Sequence, residues 1–254
     1  MSTRTITPAE QGRLRTLNLA AAALHLGQAV AVVVLANDFV IPITAAYLAG
    51  PPGTPPAPAQ TLADLSTGLA VAGFLFLSFL AHLIVSTVWF RNYIGDLSHQ
   101  INRARWVEYS LSSTLMIVII AQLVGITDAS ALIGIAGANV SMILFGWLQE
   151  KYEEAGGGGW LPFLFGCIAG IVPWLAILVY TIAPGSDAEP PTFVYAIVVS
   201  LFLFFNVFAL NQWLQYRAKG RWADYLVGER GYIILSLVAK SLLAWQVFGG
   251  TLAA

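Results

Sequence analysis

The sequence predicts an all-α membrane protein, a bundle of seven spanning helices, on three observations. Of its 254 residues 58% are hydrophobic and only 10% charged, with a mean hydropathy of +0.76. A soluble domain carries about 25% charged residues, so the apolar surplus needs lipid to face. Seven apolar runs are long enough to cross about 30 Å of hydrocarbon at about 1.5 Å per residue. Finally, all but one of the twelve Lys and Arg residues fall on one side of a seven-span arrangement.

The spans lie near Leu14–Leu35, Ser66–Phe90, Arg105–Val124, Ala129–Gln149, Trp160–Ile182, Thr192–Gln215 and Gly231–Thr251. Three arginines precede span one, and no A-x-A site closes it, so it reads as a retained anchor and not a cleaved signal peptide. The first connection is too proline-rich for a helix, and its "DFVIPIT" suits a short extracellular strand. Breakers mark other connections: "EEAGGGG" in the fourth and "APGSDAEPP" in the fifth.

Arg4, Arg13 and Arg15 precede span one; Arg91, Arg103 and Arg105 flank the second connection. Lys151 is in the fourth, and Arg217, Lys219, Arg221 and Arg230 are in the sixth. By the positive-inside rule the N-terminus is cytoplasmic and the C-terminus extracellular, in a multi-pass cell-membrane protein. The net charge of −1 gives no reason to expect nucleic acid. Cys167 is the single cysteine, which excludes an intrachain disulfide and any CxxC motif; inside an apolar run it reads as packing.

Lys240 is the exception to the charge pattern, mid-way along "GYIILSLVAKSLLAWQVFGG". Glu108 is the one acid expected inside a span; Glu150 and Glu229 read as span-end charges. An unpaired charge at the bilayer centre costs about 3 kcal/mol on insertion scales, so the two are expected to pair. Ser236 is one turn from Lys240 and Ser112 one turn from Glu108. His25, His82 (between Ser78 and Ser86) and Asn139 are further mid-span polar groups. Singly, each suits a satisfied core polar group; together they suggest a polar cavity on the cytoplasmic side of the lysine.

A desolvated amine is a nucleophile toward aldehydes, and a protonated Schiff base formed from it needs a carboxylate counterion. Met142, Phe163, Trp174, Phe204, Phe205 and Trp245 are candidates to line a long apolar ligand, though mid-span aromatics equally suit packing. A structural ion pair, a carrier using the Lys240–Glu108 pair, and a two-histidine, one-carboxylate metal site also stand as readings. The last lacks HxxxH spacing and leaves Lys240 without a role, so no metal is expected.

Seven spans with a lysine in the last resemble the retinal rhodopsins, and "RWVEYSLSSTLMIVIIAQL", "NVSMILFGWLQEKY", "LPFLFGCIAGIVPW", "SLFLFFNVFALNQWLQY" and "GERGYIILSLVAKSLLAWQVFGGT", with "LANDF" and "YLAGPPGT", resemble the heliorhodopsins along nearly the whole chain. The resemblance implies a rhodopsin-type bundle, a single seven-helix retinal-binding membrane domain over residues 1–254, with an inside N-terminus. It implies all-trans retinal on Lys240 with Glu108 as counterion, and His25, His82 and Ser236 in the polar network beside them. It puts Met142, Trp174 and Phe205 near the polyene, and it implies a homodimer in membrane lipid. Gly134 with Ala138 and Gly166 with Gly170 permit close helix approach, within the bundle or between copies.

The function that follows is light sensing, not enzymatic catalysis, with the proton kept in the closed cytoplasmic-side cavity and the basic sixth connection as a route to a cytoplasmic partner. The alternative is a light-driven proton transporter. Span three places Ser112 and Ile119 where pumps carry a hydroxyl and a second acid, and no Asp, Glu or His falls in the extracellular half of any span.

Overall fold

A computed structural model describes residues 4–182 and 190–252, so most of the "APGSDAEPP" breaker lies outside the described residues. Eight α-helices are described, seven of them long and apolar enough to cross a membrane. Helix α1 (Pro8–Leu35) starts in a capping box: Thr7 accepts from the Glu10 amide while Glu10 reaches back to Thr7, and Pro8 fills the first turn. Strands β1 (Val40–Ala45) and β2 (Gln60–Ser66) form an antiparallel pair running from Val40 opposite Ser66 to Ala45 opposite Gln60. The strand expected in "DFVIPIT" is therefore present, and it has a partner.

Helix α2 (Thr67–Ser86) ends four residues before the span expected there. The Ser86 and Thr87 hydroxyls bond back to His82 O at 2.6 Å and Leu83 O at 2.5 Å, and Arg15 Nε donates to Ser86 O at 2.9 Å. These bonds satisfy the last carbonyls and release the chain into a separate short helix, α3 (Phe90–Ser98). Helices α4 (Arg103–Leu123) and α5 (Ala129–Tyr152) are capped by Asn102 and Asp128; α6 (Leu161–Ile182) contains Pro173. Helix α7 (Thr192–Arg217) stops at Ala218, which takes a left-handed φ of 48°. A 3₁₀ turn, Gly220–Ala223, leads into α8 (Tyr225–Val247), which ends in a π turn, Phe248–Leu252.

Helix α1 packs on α2, α4 sits against α2 and α5, and α8 closes the bundle against α7, α1 and α2. The outward faces are apolar (Leu24, Val34, Ile133, Ile168 and Val199 are exposed), as lipid as solvent requires. One half of the interior, toward the β-pair, is mostly hydrocarbon, with Thr67 and Gln122 buried there as well: Phe74, Leu75, Ile117, Ile120, Ile177, Leu201 and Leu243 belong to one buried cluster. The half toward the N-terminal face holds the buried charges. At Gly146 an added Cβ would run into the Trp106 ring, so α5 needs a glycine there to pass α4.

Candidate functional site

Lys240 and Glu108 come from the middle of α8 and the first turns of α4, and their side chains are 4% and 7% exposed. Nζ donates to Glu108 Oε1 at 2.6 Å and to Ser78 Oγ at 2.6 Å. Ser78 Oγ is itself 2.6 Å from Glu108 Oε1 and 3.1 Å from Phe74 O, so lysine, serine and carboxylate form a closed triangle. The Tyr109 ring centroid lies 5.1 Å from Nζ, a second source of negative potential. A buried charge pair is tolerable when further hydrogen bonds support it, and Ser78 bonds to both partners.

The pair divides two cavities. One, of about 820 Å³, has Lys240 in its wall and runs between α4, α5, α6, α7 and α8. Met116, Met142, Ile143, Phe163, Phe205 and Phe208 make it largely apolar, and Ser236 lies on its wall one turn from the lysine. Cys167, expected to serve packing, is exposed on α6 and also lines this cavity. A lysine in a largely apolar wall fits an apolar aldehyde held through nitrogen. The second cavity, of about 370 Å³, carries the polar groups: Glu108, His82, Asn18, Tyr93, Arg105 and Glu229 line it, among others.

In the polar cavity one tautomer is fixed by geometry. Asn18 Nδ2 donates to Leu14 O at 2.9 Å, so its Oδ1 faces His82 Nδ1 at 2.7 Å and accepts. His82 therefore carries its proton on Nδ1. His25 stacks on it with centroids 5.7 Å apart and planes 11° apart; both His25 nitrogens are buried without a hydrogen-bond partner among the described residues.

Below these lies an ion cluster absent from the sequence reading. Arg105 pairs through Nη1 with Glu229 and through Nη2 with Glu150. Glu229 also accepts from Asn102 Nδ2 at 2.8 Å and Tyr93 Oη at 3.0 Å; Glu150 accepts from Trp106 Nε1 at 2.6 Å, Tyr225 Oη at 3.0 Å and the Asn102 amide at 3.0 Å. The guanidinium carbon sits 3.9 Å from the Tyr232 ring centroid. The expectation of a single buried acid is thus corrected: Arg105, Glu150 and Glu229 are as buried as Lys240 and Glu108. Helical phase carries the signal that was missed, since Glu229 lies eleven residues, about three turns, before Lys240 and Arg105 three before Glu108.

The other expected site residues divide. Met142 and Phe205 line the apolar cavity. Trp174 does not; it packs edge-on against Phe202 and Phe205, at 5.3 and 5.4 Å between centroids. Asn139 ties α5 to α4, its Nδ2 being 2.9 Å from both Ser113 Oγ and Thr114 Oγ1, and is not in the cavity wall. Ser112 is fully buried on α4, and its Oγ has no hydrogen-bond partner among the described residues. Trp245 is 42% exposed and donates to Gln28 Oε1 at 3.1 Å. Among the described residues no group of three His, Cys, Asp or Glu side chains is placed to hold a metal ion.

A family model described as heliorhodopsin matches residues 14–252. Three solved structures share the seven-helix fold at low identity. The transmembrane domain of Salpingoeca rosetta rhodopsin phosphodiesterase is 15% identical with a TM-score of 0.64, covering 95% of this chain and 84% of that one. Xanthorhodopsin, titled a light-driven ion pump with dual chromophore, is 15% identical with a TM-score of 0.60, covering 97% of this chain and 95% of its own. A thermophilic rhodopsin is 17% identical with a TM-score of 0.57, over 96% and 94%. No curated protein matches the chain.

Proposed function

Because the chain belongs to the heliorhodopsin family, a family of retinal-type seven-helix proteins, we propose that residues 1–254 form one light-sensing domain, with all-trans retinal on Lys240 as a protonated Schiff base and Glu108 as its counterion. The observation that carries this reading is the Lys240–Glu108 pair, at 2.6 Å, with Lys240 in the wall of a largely apolar cavity. Retinal supplies absorption of visible light and a change of shape on isomerisation. Everything else is the work of the chain. Glu108 holds the positive charge at the lysine nitrogen, and Ser78 fixes which carboxylate oxygen does so. Ser236 supplies a hydroxyl on the apolar-cavity side of the same nitrogen.

On the other side, His82 lines the polar cavity together with Glu108, with its Nδ1 proton committed to Asn18 and its Nε2 left to accept. A proton displaced from the lysine nitrogen is retained there, between His82, His25 and Glu108. In the opposite direction the buried polar groups toward the β-pair, among the described residues, are Thr67 and Gln122, neither of which titrates. On this reading the protein is a sensor, and neither a pump nor an enzyme. The Arg-bearing N-terminal face is cytoplasmic, and the chain works as a homodimer that hands its change of shape to a cytoplasmic partner.

The test is spectroscopic. Membranes holding the chain, given all-trans retinal, acquire a visible band that Lys240→Ala abolishes and Glu108→Gln displaces. In lightly buffered vesicles, illumination leaves the external pH unchanged. A sustained light-driven pH change that an uncoupler collapses makes the protein a transporter; no visible band from folded protein returns Lys240 to the role of a structural cation or a carrier group.

A further inference from the structure

We propose that Arg15, at the seam between α1, the end of α2 and α3, binds the phosphate of an anionic phospholipid in the leaflet at the N-terminal face. Arg15 is exposed, yet its guanidinium is fixed from two sides. Nε donates to Ser86 O at 2.9 Å, and the guanidinium carbon lies 5.2 Å from the centroid of the Phe90 ring. Among the described residues Nη1 and Nη2 have no hydrogen-bond partner, and no carboxylate pairs with Arg15. An arginine held by Nε and by an aromatic face, with both terminal nitrogens open, is a preformed fork for two oxygens of one phosphate. The side-chain freedom that binding would otherwise cost is already given up to Ser86 and Phe90.

The surrounding charges select the headgroup. Arg13 on α1 and Arg91 on α3 are also exposed and also lack a carboxylate partner among the described residues. The acids of the same two helices are engaged elsewhere, Glu10 with Arg4 and Asp96 with Arg103. The seam therefore carries an excess of positive charge, which favours a headgroup of net negative charge over a zwitterionic one. The apolar side chains make the ligand a lipid and not a free phosphate. Arg15 bonds to Ser86 and Asn18 to His82, so α1 and α2 run antiparallel, and the exposed Leu19 and Ile84 lie on the mid-membrane side of the guanidinium. Beside it, the turn from α2 into α3 leaves Val88 88% exposed, with Trp89 exposed next to it. A phosphate fork with hydrocarbon on its inner side matches a phospholipid, whose chains follow its phosphate in that direction.

The experiment is native mass spectrometry of the full retinal-free chain released from detergent micelles, titrated with dioleoylphosphatidylglycerol and, separately, with dioleoylphosphatidylcholine. The expected result is a first phosphatidylglycerol bound about tenfold more tightly than the first phosphatidylcholine, since a hydrogen bond to a charged group is worth roughly that much. Arg15→Gln removes most of this preference. Arg15→Lys, which keeps the charge and loses the fork, reduces it less. Arg217→Gln, at an exposed arginine that ends α7, leaves it unchanged. Glycerophosphoglycerol, the same headgroup without its chains, does not displace the lipid at equal concentration. Equal affinity for the two lipids overturns the proposal, as does a preference that Arg15→Gln leaves intact or that Arg217→Gln lowers as far. Displacement by glycerophosphoglycerol makes the ligand a soluble phosphate and overturns the lipid assignment. Circular dichroism of each variant separates loss of the site from loss of fold, and Arg15→Lys decides alone if Arg15→Gln does not fold. None of these readouts needs retinal, so the result stands or falls apart from the light-sensing reading.

Discussion

Replacing Arg105 by methionine removes the one cation between two buried carboxylates. The Arg105, Glu150 and Glu229 side chains are 4%, 0% and 2% exposed, so water cannot take over the lost pairing. Stripping one partner from a buried ion pair costs about 3–5 kcal/mol, which for a chain of this size corresponds to a fall in melting temperature of roughly 6–20 °C. Glu229→Gln is the informative control. One guanidinium against two carboxylates leaves an excess negative charge when all are ionised, and removing one carboxylate relieves it. The amide introduced by this substitution keeps an oxygen for Tyr93 and Asn102 but turns donors toward the guanidinium, so its cost is set by one lost charge-assisted bond, about 1–2 kcal/mol. The assay is thermal loss of the helical circular-dichroism signal of the retinal-free protein, with the double variant included so that the coupling is read directly. An Arg105→Met variant within about 1 kcal/mol of the parent, or a Glu229→Gln variant that costs more, refutes the reasoning.

Three further outcomes are expected. Ser78→Ala removes one of the two acceptors of Lys240 Nζ, so the stability of the retinal-free chain should fall by about 1–2 kcal/mol and the visible band of the loaded protein should move; an unmoved band removes Ser78 from the site. Gly146→Val drives a side chain into the Trp106 ring, with a cost of about 1–3 kcal/mol from overpacking and altered Trp106 fluorescence as the reading. Asp128 caps α5, and the Ser130 hydroxyl, followed by the Ala131 and Ser130 amides, holds its carboxyl below the ordinary carboxylate range. A depressed carboxyl contributes its stabilisation above its unfolded value and loses it as pH falls through the folded one. Amide exchange at Ser130 and Ala131, corrected for intrinsic rates, should therefore accelerate only on acidification below the usual aspartate range, and at neutral pH in Asp128→Ala.

Lys240 and Glu108 were legible because each interrupts an otherwise apolar run, and a charge in hydrocarbon must find its opposite. Arg105, Glu150 and Glu229 were not, because each lies close to a connection, where charges ordinarily reach water. Their burial depends on tertiary cover: Tyr93 of α3 and Tyr225 at the start of α8 cross the N-terminal face and seal the cluster. The end of α2 was misplaced because hydropathy runs on past Ser86, whereas serine and threonine hydroxyls bonding back to the preceding turn decide where the helix stops. Met142, Phe205 and Trp174 looked alike as apolar side chains at mid-span; facing decides among them, and only the first two turn into the cavity.

The β-pair has a mechanical meaning. The Thr44 amide donates to Thr127 O at 2.8 Å, anchoring the pair to the turn between α4 and α5. Asn37, just beyond α1, donates its amide to Leu252 O at 3.1 Å and its Nδ2 to Thr251 O at 3.0 Å, fastening the first helix to the last. With the hydrocarbon core beneath them, these bonds rivet one end of the bundle. The bundle is thus fastened differently at its two ends, by backbone and amide bonds over hydrocarbon at this one and by the buried Arg105 cluster at the N-terminal face.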